Sequence, residues 1–137
     1  MINIHTYTYK MLCVYFAITA SAASAQPSEH ILKFVGEIGG ASAAIAICSE
    51  YIYNNYSADE YIEINRLDLE LYDIVVEVGE KFDQDFSARF FLTIGLLQDD
   101  IDFKKSIIEK YPTCGKKFVR DIVAFVKSAK STVRELR

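Results

Sequence analysis

The sequence contains few of the residues from which metal sites are usually built. It has two histidines in 137 residues, and only His30 lies beyond the first 25 residues. A zinc site in that part of the chain would have to use cysteines that are better placed to pair with each other. A lone histidine in a first helical turn is typical of a surface residue. We therefore expect no bound metal ion.

The motifs of nucleotide-dependent and hydrolytic enzymes are also missing. The chain has no G-x-S-x-G nucleophile elbow, no phosphate-binding loop and no dinucleotide fingerprint. A run that starts at Asp83 begins like a calcium loop, but Ala88 stands where the loop needs glycine and Ile94 where it needs glutamate. The acidic run at 99–102 fails similarly. We expect no enzyme activity and no cofactor; a carboxylate-based hydrolase is the lowest-ranked alternative, since nothing shows which acids would share a cleft.

Basic residues are scarce over most of the chain. Residues 26–102 hold sixteen acidic and four basic side chains, whereas residues 103–137 hold three acidic and ten basic ones. The total charge is negative and no nucleic-acid-binding motif is present, so nucleic acid is not an expected partner. The simplest interpretation is that the basic C-terminal segment packs beside an acidic helix of the same fold. The alternative is a docking surface for an acidic partner or an anionic membrane.

The first 25 residues have the pattern of an export signal. Lys10 is the only lysine or arginine before an uncharged run from Met11 to Ala20, and small residues ending in Ala23-Ser24-Ala25 follow. A positive start, an apolar centre and a small-residue tail are typical of a cleavable secretory signal. The run is shorter than the roughly 20 residues that span a bilayer, so a membrane anchor is less favoured. The sequence predicts a signal peptide at 1–25 and a single domain at 26–137, located in the periplasm or secreted.

Two cysteines, Cys48 and Cys114, remain after the predicted signal peptide, which contains Cys13. An even pair in an exported chain indicates a disulfide rather than two free thiols. Closing a loop of this length is expected to stabilise the domain by about 4 kcal/mol in the chain-entropy model. The sequence therefore predicts a disulfide between Cys48 and Cys114.

Apolar residues recur at helical spacing from Phe34 to Val133. Ser57 and Glu60 match a capping box that opens the second helix, Pro112 follows the end of a short helix, and Thr113 is the predicted cap of the last one. The pattern predicts an all-α fold, a small bundle of four to five helices with one disulfide. The predicted core positions are Phe34, Ile38, Ala41, Ile45, Cys48 and Ile52; Tyr61, Ile64, Leu67, Leu71, Ile74, Val78 and Phe82; Phe86, Phe90, Ile94, Leu97 and Ile101; Phe103, Ile107 and Tyr111; and Val119, Ile122, Val126, Ala129 and Val133.

Glycines interrupt the first of these helical patterns. Gly36, Gly39 and Gly40 each weaken a helix by about 1 kcal/mol relative to alanine. Two interpretations remain open at this point. The glycines permit a neighbouring helix to approach closely, or they divide the segment into two helices.

A tyrosine cluster is the first candidate interface. Tyr51, Tyr53, Tyr56 and Tyr61 surround the predicted turn between the first two helices. Tyrosine is favoured at interfaces because its large apolar body carries a polar tip. The alternative is that these side chains pack at one end of the bundle.

A basic stripe on the last helix is the second candidate interface. Lys116, Arg120, Lys127, Lys130 and Arg134 fall within a narrow arc of the helical wheel, roughly a quarter-turn from the apolar stripe. Such a stripe meets an anionic lipid surface, meets an acidic protein surface, or is simply hydrated.

An exported helical domain with one cysteine near each end resembles, in architecture, two groups of proteins: the small periplasmic acid-stress chaperones and the helical bacterial immunity proteins. The resemblance depends only on Cys48, Cys114 and the helical spacing, and no functional residue is carried over. We expect an exported binding protein without catalytic activity, of the inhibitor, immunity or chaperone type, whose partner is another protein. A carrier that encloses a small apolar ligand between its helices is the alternative.

Overall fold

A computed structural model describes residues 26–55 and 57–136, without the side chains of residues 50–53. These residues form helices and include no strand, which confirms the predicted all-α bundle. The predicted signal peptide lies outside the described residues. The five helices are α1 (Glu29–Asn55), α2 (Ala58–Phe82), α3 (Ser87–Asp99), α4 (Ile101–Lys110) and α5 (Lys116–Glu135).

Helix α1 is one continuous helix and lies at the centre of the bundle, in contact with all four of the others. Its first turn is capped by Ser28, whose hydroxyl oxygen accepts a hydrogen bond from the backbone N–H of Ile31 at 3.4 Å. Gly39 allows α3 to cross closely, because a Cβ atom at this position would lie 3.0 Å from the side chain of Thr93. Of the two interpretations of the glycines, close approach therefore applies at Gly39, and the helix is not divided.

The apolar character of α1 extends over a long segment. Among the described residues, Glu29–Ser49 is the segment that is long and apolar enough, by length and composition, to cross a membrane. The bundle covers 56% of its most apolar window. The central helix of a folded bundle has the same character, because its neighbours bury it on several sides.

Helix α2 begins and ends with recognisable caps. The Ser57 hydroxyl accepts a hydrogen bond from the backbone N–H of Glu60, and the Glu60 carboxylate accepts one from the N–H of Ser57, which confirms the predicted capping box. The helix ends at Phe82, and Asp83 takes a left-handed conformation with φ 51°. The chain then folds back so tightly that a Cβ atom on Gly79 would collide with the carbonyl oxygen of Gln84.

The last two helices start from different caps. Asp100 separates α3 from α4, and its carboxylate accepts a hydrogen bond from the N–H of Phe103 at 2.8 Å. The residue before α5 is Gly115, so the prediction that Thr113 caps this helix is wrong. Cys114, with φ 44°, turns the chain in the left-handed region between these two residues and delays the start of the helix.

The core follows most of the predicted positions. Leu97 and Phe103 are only partly buried, and the side chain of Ile52 lies outside those described. Two further positions are displaced. In α5 the buried side chain is Phe118, and Val119 is only partly buried, so the stripe begins one residue earlier than predicted. Ile101 was predicted to continue the buried face of α3, but 81% of its surface is exposed. The cause is the break at Asp100, because Ile101 is the first residue of a new helix with a different direction.

The predicted disulfide is confirmed. Cys48 and Cys114 are bonded, and their Cα atoms are 5.6 Å apart. The bond joins α1 to the turn that precedes α5. That turn is also held by Tyr111, whose ring packs edge-on against Phe118 at 5.1 Å and whose hydroxyl donates to the carboxylate of Asp121 at 2.9 Å.

Candidate docking surface

Helix α3 is apolar on all of its sides, although only one side is packed. Before Asp99 it carries a single charged side chain, that of Arg89. Its inner side packs against α1, with Phe90 fully buried. Its outer side exposes 57% of Phe91, 60% of Leu92 and 64% of Leu96. Such a helix is expected to be covered all round, and nothing within residues 26–136 that the structure describes covers this outer side.

The exposed apolar surface continues from α3 onto α2. The rings of Phe91 and Tyr72 are 5.4 Å apart, and Val76 lies one helical turn beyond Tyr72. The Tyr72 and Ser87 hydroxyls are hydrogen-bonded at 3.3 Å, which fixes the start of α3 against α2. We call this surface the apolar patch. It consists of Tyr72, Val76, Phe91, Leu92 and Leu96.

An open cleft adjoins the apolar patch where α2 ends and α3 begins. Tyr72 and Val76 belong to both the patch and the cleft, so the two surfaces are continuous. The lining of the cleft also includes three carboxylates, those of Glu80, Asp83 and Asp85. We call this region the acidic cleft.

Local structure favours the charged form of Asp85 in the acidic cleft. The carboxylate of Asp85 accepts a hydrogen bond from the backbone N–H of Ser87 at 2.8 Å, and this bond lowers the pKa of Asp85 below its ordinary value. The nearby Lys81 ammonium points to the carbonyl oxygen of Leu136, 3.4 Å away near the end of α5. Residues 72–102 as a whole carry eight carboxylates and two basic side chains, so this region has a net negative charge, and one of the basic side chains, Arg89, lies one helical turn before Leu92.

Of the tyrosine cluster, the structure describes the side chain of Tyr61 alone. It is partly buried and packs against the core at the start of α2. Tyr51 and Tyr53 belong to the last turns of α1, but their side chains are not among those described, and Tyr56 lies outside the described residues. An interface at these tyrosines therefore stays a prediction.

The predicted basic stripe follows α5, and the structure divides it into two kinds of residue. The Lys130 ammonium donates to the carboxylate of Glu70 on α2 at 2.6 Å. This contact agrees with the simplest interpretation of the uneven charge, in which the basic C-terminal segment packs beside an acidic helix of the same fold. Lys130 is itself exposed, as are the other four members: Lys116, Lys127, Arg134 and Arg120, whose guanidinium lies 4.0 Å from the carboxylate of Asp121. Whether these four meet a partner stays a prediction.

A buried polar contact lies between α1 and α2. The hydroxyl of Ser42, which is 4% exposed, donates to the carboxylate of Asp68. Burial raises the pKa of Asp68, and the hydrogen bond from Ser42 lowers it by less. The pair satisfies two polar groups at a helix contact, and Asp68 lies about three helical turns before Glu80, the first carboxylate of the acidic cleft.

The acidic cleft brings together acids, as the hydrolase alternative requires, but Asp85 is not suited to be the general acid of that reaction. A general acid needs a carboxyl group with a raised pKa, whereas the pKa of Asp85 is lowered. In the described part of the chain, no group of three His, Cys, Asp or Glu side chains is arranged to hold a metal ion.

A smaller cleft lies between the first turns of α1 and the second half of α5. Its walls include Phe34 and Phe125, and its edge carries His30 and the ion pair of Lys33 with Glu37, whose charged atoms are 3.9 Å apart. This cleft and the acidic cleft both open to solvent and carry charged residues. Neither has the enclosed apolar form that the ligand-carrier alternative requires.

The apolar patch was not among the predicted interfaces. Phe91, Leu92 and Leu96 belong to none of the predicted buried stripes and were not singled out. The available signal was the composition of α3, where Leu92 and Leu96 fall on the side opposite Phe90, Ile94 and Leu97, and Phe91 falls on the flank between the two sides. A search for one buried stripe finds the second set and leaves the first unexplained.

Comparison of the chain with protein-family models, with curated proteins and with solved structures finds no match in any of the three.

Proposed function

We propose that this chain is an exported binding protein without catalytic activity, of the inhibitor, immunity or chaperone type, and that it docks another protein on the apolar patch. The observation that supports this most strongly is the outer side of α3, where Phe91, Leu92 and Leu96 are more than half exposed. On soluble proteins, contiguous exposed apolar surface of a few hundred Å² commonly marks an interaction site.

The aromatic members of the patch are suited to binding. Tyr72, Phe90 and Phe91 contact one another with ring centroids 5.2 to 5.7 Å apart. Phe90 is buried, so it holds the two outer rings in place. A rigid aromatic surface loses little conformational entropy when a partner covers it, which is why such residues often dominate binding energy.

The disulfide supports the proposed location. Cys48 and Cys114 are both buried and are bonded within the core. Structural disulfides persist in oxidising compartments and are rare in the reducing cytosol. A periplasmic or secreted protein accounts for this bond and for the signal pattern in the sequence.

Site-specific photo-crosslinking from position 92 of the full-length chain, in its native host, tests this function. We expect a crosslinked protein that, once purified, also binds the purified chain. The double variant F91S/L96S should lose at least about tenfold in affinity, because large central side chains carry most of the energy of an interface.

The matched control is I62S/I108S, which removes two other exposed apolar side chains, on α2 and α4. It should bind the captured protein as the wild type does. If both double variants bind equally well, or if crosslinking from position 92 yields no protein, the patch is not a docking surface and the proposal is wrong.

A further inference from the structure

We infer that the occupant of the apolar patch is a cationic amphipathic helix, whose apolar side covers the patch and whose lysines or arginines reach the acidic cleft. This inference rests on the proposed function and specifies the chemistry of the partner. It joins two observations, the uncovered side of α3 and the position of three carboxylates beside it.

Charge complementarity selects the partner. Any partner that covers Tyr72 and Val76 comes within reach of the cleft that these residues share with Glu80, Asp83 and Asp85. An acidic or anionic surface would be repelled there, while a basic one gains attraction and a faster association rate. Lys81 keeps its positive charge while its ammonium donates to the neutral carbonyl oxygen of Leu136, so three carboxylates and one ammonium leave this region with a net charge of about −2.

The form of the site suits a helix. Phe91 lies on the flank of α3 that contacts Tyr72 of α2, and Leu92 and Leu96 form a row on the adjoining outer side of α3. The apolar surface therefore extends across two adjacent helices, and Tyr72 and Val76 border the acidic cleft. A helix that docks in a groove presents apolar residues at i, i+3, i+4 and i+7, with charged residues at its flanks. With that pattern, the apolar side chains of the partner helix contact the apolar patch while its basic side chains reach the acidic cleft.

Two other occupants are separated by experiment. The basic stripe of α5 is itself cationic and borders the partly buried Val119 and Val123, so a second copy of this chain is one alternative. An anionic membrane is the other, although the carboxylates around the patch oppose it.

The probes are two synthetic helical peptides of about 18 residues with one shared apolar side. One carries lysine and arginine at its flanks, and the other carries glutamate. Their affinities for the full mature chain are measured by fluorescence anisotropy at low and moderate salt. We expect the cationic peptide to bind at least about tenfold more tightly than the anionic one, with an affinity that falls as salt rises.

Three variants locate the binding. F91S/L96S removes the apolar contribution, and E80Q/D83N/D85N removes the negative charge of the cleft. Each variant should weaken binding of the cationic peptide about tenfold. The triple variant should also reduce the dependence of the affinity on salt. The control D59N/E63Q/E109Q makes the same change in net charge at the other end of α2 and on α4, and should change the affinity less than about twofold.

Several results would overturn the inference. Equal affinity for the two peptides would do so, as would equal losses for the cleft and control triple variants, which would show attraction to net charge alone. A patch-dependent dimer in sedimentation, or patch-dependent binding to phosphatidylglycerol vesicles, would assign the surface to another occupant. If crosslinking from position 92 succeeds and the cationic peptide fails to bind, the proposed function stands and this inference falls.

Discussion

At the scale of single residues, Asp68 shows how burial couples a charge to stability. Its raised pKa means that the folded state holds the proton more tightly than the unfolded state does. Asp68 therefore stabilises the fold at pH values below its ordinary pKa of about 4, and this contribution is lost as the pH rises through the raised folded value.

We expect D68N to be more stable than the wild type at pH 7, because an asparagine oxygen still accepts the hydrogen bond from Ser42 and carries no charge to be desolvated. The advantage should shrink as the pH falls towards 4, where the wild-type carboxyl becomes neutral. Melting temperatures of both proteins from pH 4 to pH 7 measure this difference. A difference that does not vary with pH would contradict the assigned cause.

Gly79 and Gly36 are both helical glycines, but the structure predicts opposite effects of replacing them with alanine. A Cβ atom on Gly79 would collide with the carbonyl oxygen of Gln84, whereas one on Gly36 meets nothing within 4 Å. We expect G36A to stabilise the protein by up to about 1 kcal/mol through helix propensity. G79A should destabilise it by about 1–3 kcal/mol, because the backbone of the turn after α2 must move. Urea denaturation of the two variants decides this, and a stabilised G79A would refute the close contact.

The conformation and contacts of some residues could be predicted from the local sequence, whereas those of others could not. The cap at Ser57 and the pairing of Cys48 with Cys114 follow from short motifs or from composition, so the sequence was sufficient for them. The collision at Gly79 depends on how the chain folds back after Phe82, which no local pattern reveals. Cys114 in turn moves the cap of α5 to Gly115, because its left-handed backbone occupies the position where a helix would otherwise start.

At the scale of elements, α3 is the helix whose two sides perform different tasks. Its inner side was predictable, since Phe90 and Ile94 follow one stripe and do pack into or against the core. Its outer side was not, because a periodic pattern locates the buried stripe of a helix and gives no reason to examine apolar residues elsewhere. The extent of the apolar surface also depends on Tyr72 of α2, which the fold brings to Phe91.

We expect substitutions on the two sides of α3 to separate stability from binding. Phe90 is buried, so F90A should cost about 3–5 kcal/mol of unfolding free energy. Leu96 is mostly exposed, so L96Q should change stability by less than about 0.5 kcal/mol. Chemical denaturation measures both values. A large loss of stability in L96Q would show that the outer side is part of the core rather than a binding surface.

At the scale of the whole molecule, the disulfide connects regions that are far apart in the chain. Cys48 is in the second half of α1 and Cys114 precedes α5, so the bond ties the central helix to the last one. Helix α5 otherwise depends on its buried stripe, on the ion pair of Lys130 with Glu70 and on the turn at Tyr111. The bond restricts the unfolded chain and favours the docking of α5 on the bundle.

We therefore expect C48A/C114A to lose about 2–4 kcal/mol of unfolding free energy relative to the oxidised wild type. Reductant should lower the stability of the wild type towards that of the variant and should leave the variant unchanged, which separates loss of the bond from loss of two buried side chains. Equal denaturation midpoints with and without reductant would show that the bond contributes nothing to stability.

Mass spectrometry of the protein isolated from its native host, under conditions that trap free thiols, should find Cys48 and Cys114 oxidised in chains that begin near Gln26. Reduced cysteines in chains that still carry residues 1–25 would contradict the proposed location, because a structural disulfide of this kind requires an oxidising compartment.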